Sequence, residues 1–142
     1  MTRMLLLTAA ALFVPPALLA DTKEQALAKL QGNWRVERIE ENGVAEPEEE
    51  VKRFILVFKG TRINVELRGQ TEHTDFQINP DKSPKEIDMT PQYGDDKGKT
   101  FRGIYEIDGD TLRICATPLA ERPKTFVSEK GTMLMVLKRA KD

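Results

Sequence analysis

The side chains best suited to acid–base catalysis or metal binding are few in this chain. His73 is the only histidine, and Asp75 follows it two residues later. In a strand these two residues share a face, opposite Phe76, which we expect to be turned to solvent. A catalytic triad needs a nucleophile beside the histidine, and a metal site needs further ligands, neither of which the neighbouring sequence offers. We therefore predict no catalytic residue, no metal site and no enzymatic activity.

Acidic residues are numerous, but their spacing matches no established site. Asp95-Asp96 and Asp108-Gly109-Asp110 lack the ligand spacing of an EF-hand loop. Asp-Gly is typical of a tight hairpin turn, in which glycine tolerates a positive φ. None of the 23 acidic residues stands out on an apolar face, where a glycosidase acid is expected. No Gly-rich phosphate loop, nucleophile elbow or zinc-ligand spacing occurs either, so we predict no cofactor.

The first 20 residues differ sharply in composition from the rest. Fifteen of them are hydrophobic; Arg3 precedes an apolar segment, and Pro15-Pro16 and Ala20 precede the polar Asp21. This order is typical of a secretory signal peptide, although Leu18 stands where a small residue is preferred, and an uncleaved anchor is the alternative. We expect residues 1–20 to be a signal peptide and residues 21–142 to form one domain. The protein would then be exported to the periplasm or the cell exterior.

The net charge and the hydropathy of residues 21–142 exclude several classes of partner. Because Arg3 lies in the leader, residues 21–142 carry 21 basic and 23 acidic residues, a net charge of −2. We therefore expect no nucleic acid partner. No later apolar run approaches the ~20 residues of a membrane helix, so we expect no integral membrane span after signal removal.

Cys115 is the only cysteine. It is either a buried small hydrophobe or a free thiol, and alternation places it with Arg113, away from the apolar face.

Alternation of apolar and polar residues dominates the mature segment. Residues 62–68 place Ile63, Val65 and Leu67 on one face of a strand. Seven further segments have similar character, and turn signals such as Gly60-Thr61 separate them. A short helix is predicted over residues 22–31, and strands over 34–39, 54–59, 62–68, 72–79, 86–90, 101–107, 111–116 and 132–139. This order predicts an all-β fold, an eight-stranded antiparallel up-and-down barrel with a short N-terminal helix.

Gly32-Asn33-Trp34 lies where the predicted helix gives way to the first strand. This placement resembles the G-x-W signature of the lipocalins, in which the tryptophan closes one end of an eight-stranded barrel and a basic residue of the last strand packs on it. The resemblance implies a structural, barrel-closing role for Gly32, Trp34 and Arg139. Lys138 is the alternative basic residue.

A more specific resemblance covers essentially the whole mature segment. The chain resembles exported proteins of unknown function that are found mainly in planctomycetes and are usually described as lipocalin-like. The matching segments are residues 30–34 (LQGNW), 82–91 (KSPKEIDMTP), 97–100 (KGKT), 103–112 (GIYEIDGDTL), 121–123 (ERP) and 137–139 (LKR). The resemblance implies a fold and an exported location, but no activity.

The faces predicted to point into the barrel are apolar and rich in aromatic residues. The interior of an eight-stranded barrel is either filled by side chains or holds one small ligand. We predict a small apolar ligand, with Tyr105 as a polar group. Arg38 shares the parity of Trp34 and Val36, and it would pair with a ligand carboxylate unless a bulge turns it out. The candidate ligand-binding residues are Val36, Arg38, Phe58, Val65, Phe76, Met89, Phe101 and Tyr105. The alternative is a filled core in a cell-envelope module that binds or inhibits a protein partner.

Overall fold

The computed structural model of the chain describes residues 21–141, so the predicted signal peptide lies outside the described residues. In the described part, a short helix precedes nine strands, and one further helical turn lies between the second and third strands. The elements are α1 (Lys23–Leu30), β1 (Gly32–Glu41), β2 (Val44–Ala45), α2 (Glu48–Val51), β3 (Ile55–Lys59), β4 (Arg62–Leu67), β5 (Gln70–Asn79), β6 (Lys85–Pro91), β7 (Phe101–Asp108), β8 (Thr111–Thr117) and β9 (Met133–Arg139).

Eight of these strands form a closed antiparallel barrel. From β3 to β9 each strand pairs with the next in sequence, and β1 pairs with both β3 and β9. The β1–β9 ladder runs from Trp34 opposite Arg139 to Glu41 opposite Met133, which closes the ring. The predicted all-β, up-and-down barrel with a short N-terminal helix is therefore confirmed. The two-residue β2, which alternation does not predict, extends the end of β1 as a short hairpin.

The helix α1 covers one end of the barrel. It begins at a capping box, in which Thr22 Oγ1 accepts a hydrogen bond from the Gln25 backbone and the Gln25 side chain accepts one from the Thr22 backbone. Leu30, at its last turn, is fully buried against the barrel. Gln31 fixes the helix to the β3–β4 turn, because its amide group exchanges two hydrogen bonds, of 2.6 and 3.0 Å, with the backbone of Gly60.

The barrel interior is filled at the α1 end. The rings of Phe58 and Phe76 meet edge to face there, with their centroids 5.4 Å apart. The buried side chains of this half include Trp34, Phe58, Phe76, Ile78, Ile87, Leu112, Ile114 and Leu137. Burial of these side chains supplies the main stabilisation of a chain that has no disulfide in its described part.

A loop over residues 118–132 folds back along the outside of the barrel. Ile104, Cys115 and Leu134 form a small buried cluster on that side, and Phe126 of the loop packs against it. Alternation placed Cys115 on the outer face, but the loop covers it completely. Burial raises the pKa of its thiol, which therefore stays protonated. Cys115 thus occupies its position as a small buried hydrophobe.

Arg122 anchors the same loop to β6 and β7. Its Nη1 atom donates to Asp88 Oδ1 at 2.6 Å and to the carbonyl oxygen of Gly103 at 2.8 Å. Its Nε atom lies 3.2 Å from Glu86 Oε2. The segments ERP and KEIDMTP, separated by about thirty positions, therefore meet on the outer wall of the barrel.

Candidate functional site

A β-bulge in β1 decides which side chains of that strand face the interior. Val36 pairs with Leu137 and Arg38 with Val136, so Glu37 is an extra residue on β1 with no counterpart on β9. An extra residue of this kind reverses the parity of the residues that follow it. The inward positions therefore change from even to odd numbers along β1.

The bulge turns Arg38 out of the barrel. Val36, before the bulge, is fully buried, whereas after the bulge Ile39 and Glu41 line the interior. The guanidinium of Arg38 pairs with Glu40 on the outside, and its side chain is 59% exposed. Of the two orientations that the sequence leaves open for Arg38, the structure therefore has the one in which a bulge turns the side chain out, away from the cavity. An acidic residue, Glu41, lies on the inner face at the end of β1 instead.

A cavity of about 270 Å³ occupies the half of the barrel away from α1 and opens to solvent there. This volume lies just below the usual range of small-molecule sites, which begins at about 300 Å³. The wall is mainly apolar. It is formed by Val36, Ile39, Glu41, Phe54, Leu56, Ile63, Val65, Thr74, Met89, Pro91, Tyr93, Asp96, Phe101, Met133 and Met135.

The sequence placed four residues in the wall of this cavity, namely Val36, Val65, Met89 and Phe101. Phe58 and Phe76, which were also candidates, do not line it. They lie one inward position nearer to α1 than Leu56 and Thr74, which do. Alternation identifies the inward face of a strand, but it does not say how far along the strand the filled core extends.

Tyr105 is inward-facing but lies at the closed end. It shares a surface groove with Asp21 and Ala26 and is almost completely buried. Burial raises the pKa of Tyr105 to about 12, and the charge of Asp21 contributes to the increase. Its hydroxyl has no hydrogen-bond partner among the described residues. Tyr105 therefore provides no polar group to the cavity, contrary to the expectation from sequence.

Several residues of the cavity wall were not predicted. Met133 and Met135 alternate along β9, and a period of two with Leu137 would have found them. Tyr93 and Asp96 belong to the loop over residues 92–100, which has no such period. Their place at the cavity depends on the fold of that loop, in which the Gly98 N–H donates to the Pro91 carbonyl at 2.9 Å.

The mouth of the cavity combines aromatic rings with carboxylates. The half-buried rings are those of Phe54, Tyr93 and Phe101, and the exposed acids are Glu41 and Asp96. Among the described residues that form the wall, none is Lys, Arg or His. Any charge on the wall itself is therefore negative.

The ionisation of Tyr93 reflects these surroundings. Burial raises the pKa of its phenol, and the negative charges of Glu72 and Asp96 raise it further, while a hydrogen bond with Thr74 acts in the opposite direction. Tyr93 is therefore a neutral phenol near neutral pH. Its ring presents an apolar face and its hydroxyl a hydrogen-bonding group.

Trp34 and Arg139 close the opposite end of the barrel. The guanidinium of Arg139 lies over the indole ring, 4.1 Å from its centroid. Trp34 Nε1 donates to the carbonyl oxygen of Leu30 at 2.8 Å. Arg139 donates to the carbonyl oxygens of Lys29 and Gln31 at 2.8 and 3.0 Å.

Gly32 completes this arrangement. Its φ is +111°, a conformation that L side chains rarely adopt, and a Cβ atom there would lie 3.3 Å from Arg139 Nη1. Lys138, the alternative basic residue, points outward and donates to Thr111 Oγ1 at 2.7 Å. Gly32, Trp34 and Arg139 therefore meet at the closed end.

The groups first considered for catalysis lie on the outside of the barrel. Asp75 binds Arg62, with 3.1 Å between Oδ1 and Nε, and His73 lies on the same strand and face. Within residues 21–141, no group of three or more His, Cys, Asp or Glu side chains is placed to hold a metal ion. No helix formed by these residues has the length and apolar character needed to span a membrane.

Comparisons with family models, curated proteins and solved structures gave no match to this chain.

Proposed function

We propose that this protein is an exported, lipocalin-like barrel that binds a small apolar ligand in the cavity at its open end. The cavity itself carries the proposal, because a space of about 270 Å³ with a mainly apolar wall remains beside a well-filled core. Apolar surface that a ligand removes from water contributes about 25 cal/mol per Å². Export rests on the signal-like leader and on the family resemblance, which implies an exported location but no activity.

Three methionines suit the wall to ligands of variable shape. Met89, Met133 and Met135 all line the cavity. Methionine side chains are unbranched and polarisable, so they adapt to the outline of a bound molecule. These methionines therefore suit the cavity to apolar ligands of varied shape better than to a single rigid compound.

A cavity-filling variant tests the proposal. The probe is N-phenyl-naphthylamine, an uncharged apolar fluorophore, titrated into the purified mature protein. We expect saturable binding to the wild type and its loss in Val65→Trp, because Val65 is a half-buried wall residue and the indole would occupy the space.

The matched control is Glu66→Trp. Glu66 is the next residue on β4, but it is exposed and does not line the cavity. This variant should bind the probe as the wild type does, and both variants should show cooperative unfolding. Absence of saturable binding to the wild type, or full binding to Val65→Trp, would contradict the proposal.

A second candidate is the protein-interaction or inhibitor module, and an exposed apolar patch favours it. Val44, Leu119 and Val127 are 69, 57 and 55% exposed. Hydrogen bonds join the segments that carry them: Gly43 N–H donates to Ser128 Oγ at 3.0 Å, and Gly131 bonds to both Asn42 and Thr117. The three exposed side chains therefore belong to segments, β2 and the loop over residues 118–132, that are held together.

Site-specific crosslinking tests this second candidate. A photo-reactive residue at Val127 should give one discrete adduct in envelope extract, whereas the same residue at the exposed Gln77 should not. The change Leu119→Ser should abolish that adduct. Equal labelling at both positions, or no adduct, would exclude a partner at the patch.

A further inference from the structure

The charge at the mouth of the cavity determines which ligands fit it. The β1 bulge places the carboxylate of Glu41 on the inner face and moves the guanidinium of Arg38 to the outside. Asp96 reaches the same cavity from the loop over residues 92–100. A ligand head group at the mouth therefore meets carboxylates.

The aromatic residues of the cavity wall also favour a positively charged head group. The half-buried rings of Phe54, Tyr93 and Phe101 line the cavity together with the two acids. The face of an aromatic ring carries partial negative charge and attracts ammonium groups. Rings and carboxylates together stabilise a cation at the mouth and disfavour an anion.

We propose that the ligand is a cationic amphiphile, in which an amine or quaternary ammonium head lies between Glu41 and Asp96 and an apolar chain enters the barrel. This inference rests on the proposed function of the cavity and specifies its ligand class. It is opposite in charge to the ligand carboxylate that an inward-pointing Arg38 would have bound.

The two acids are not equivalent. Among residues 21–141 no salt bridge involves Glu41, whereas Lys99 Nζ lies 3.2 Å from Asp96 Oδ1. Lys99 is exposed and does not line the cavity, but its charge offsets part of the field of Asp96. Removal of Glu41 and removal of Lys99 should therefore change the preference for a cation in opposite directions.

The experiment compares three ligands with the same apolar chain as competitors of N-phenyl-naphthylamine. They are octyltrimethylammonium, octanol and octanoate, all below micellar concentration and at low salt. We expect the cation to bind about tenfold more tightly than the anion, with the alcohol between them. At about 1 M salt, where the Debye length is about 3 Å, the difference should nearly disappear.

Charge variants assign the preference to the mouth. Glu41→Gln should reduce the ratio of cation to anion affinity about threefold, and Lys99→Gln should increase it about twofold. Glu66→Gln removes an equal charge from the outer face of β4 and should leave the ratio unchanged. Octanol should bind all three variants as it binds the wild type, which excludes a loss of folding as the cause.

The outcomes separate this inference from the function on which it rests. If the fluorophore does not bind saturably, the ligand-binding function is wrong. If it binds but octanoate competes as well as octyltrimethylammonium, the cavity binds ligands and the cationic class is wrong. The class is also wrong if Glu41→Gln and Glu66→Gln change the ratio equally.

Discussion

At the closed end of the barrel each carbonyl oxygen that α1 leaves free has a donor, whereas at the open end the wall surrounds an unfilled space. A helix leaves its last four carbonyl oxygens without partners in the helix. Those of Leu27, Ala28, Lys29 and Leu30 accept, in that order, from the Gln31 side chain, the Gln31 backbone, Arg139 and Trp34. The closed end is thus held by specific polar contacts around one buried indole.

At the open end the polar contacts join the surrounding loops, as where Gly131 N–H donates to Asn42 Oδ1 at 2.7 Å, and they leave the space inside the barrel unfilled. Its wall is made of apolar side chains that face a cavity, and the exposed carboxylates of Glu41 and Asp96 lie at its edge. Groups that face a cavity forgo part of the dispersion contacts of a filled core. The difference indicates that the closed end contributes more to the stability of the fold, while the open end retains the space in which the proposed ligand would bind.

The largest effect should come from removing the indole at the closed end. Trp34→Ala should lower the free energy of unfolding by about 3–5 kcal/mol, because it leaves a cavity and frees the Leu30 carbonyl. Urea unfolding followed by circular dichroism measures the change. Tryptophan fluorescence does not serve, since Trp34 is the only tryptophan.

A truncation at the open end is the matched control. Met133→Ala should cost about 1 kcal/mol or less, because Met133 is half-buried and already borders open space. Equal losses for Trp34→Ala and Met133→Ala would show that the two ends contribute alike. An unchanged transition in Trp34→Ala would remove the barrel-closing role of the indole.

The cation over the indole should have the next largest effect. Arg139→Gln removes the contact with Trp34 and the donors to two carbonyl oxygens near the end of α1, so it should cost about 1–3 kcal/mol. Lys138→Gln removes the same charge one residue earlier, on the outer face, and should stay within about 0.5 kcal/mol of the wild type. If the two substitutions cost the same, net charge and not the closed-end geometry is responsible.

The strands could be predicted from the periodicity of the sequence, whereas the closed end is expected from a family resemblance. Ile63 and Val65 recur at the spacing that one face of a strand requires, and all eight barrel strands follow from such patterns. The closed end is expected only from the resemblance of Gly32-Asn33-Trp34 to the lipocalin signature, which implies that Arg139 packs on Trp34; the two residues are paired across β1 and β9. Strict alternation needs no knowledge of tertiary structure.

The site could be predicted only in part, because it depends on departures from alternation. Nothing in the sequence identifies Glu37 as a bulge residue. Strict alternation along β1 therefore gives Arg38 an inward position and does not place Glu41 among the cavity residues. The burial of Cys115 depends on Phe126 in a distant loop. Tyr93 reaches the cavity by way of a loop that has no period. Sequence patterns predict regular strand pairing, whereas Glu41 and Tyr93 are placed at the mouth of the cavity by a bulge and by a loop.

The smallest effect near neutral pH concerns the hydroxyl of Tyr105, the one buried polar side-chain atom among the described residues that has no hydrogen-bond partner. Burying it without a partner is unfavourable, so Tyr105→Phe should leave the stability near neutral pH unchanged or raise it by up to about 1 kcal/mol.

The folded state raises the pKa of Tyr105 from 10.0 to about 12, which means that it disfavours the phenolate. The wild type should therefore lose stability relative to Tyr105→Phe between pH 10 and about 12, by about 1.4 kcal/mol per pH unit, and show no such trend below pH 10. Urea unfolding of both proteins across this range measures the difference. A destabilised Tyr105→Phe would show that the hydroxyl has a partner in solution, and that the closed end is more completely satisfied than its contacts indicate.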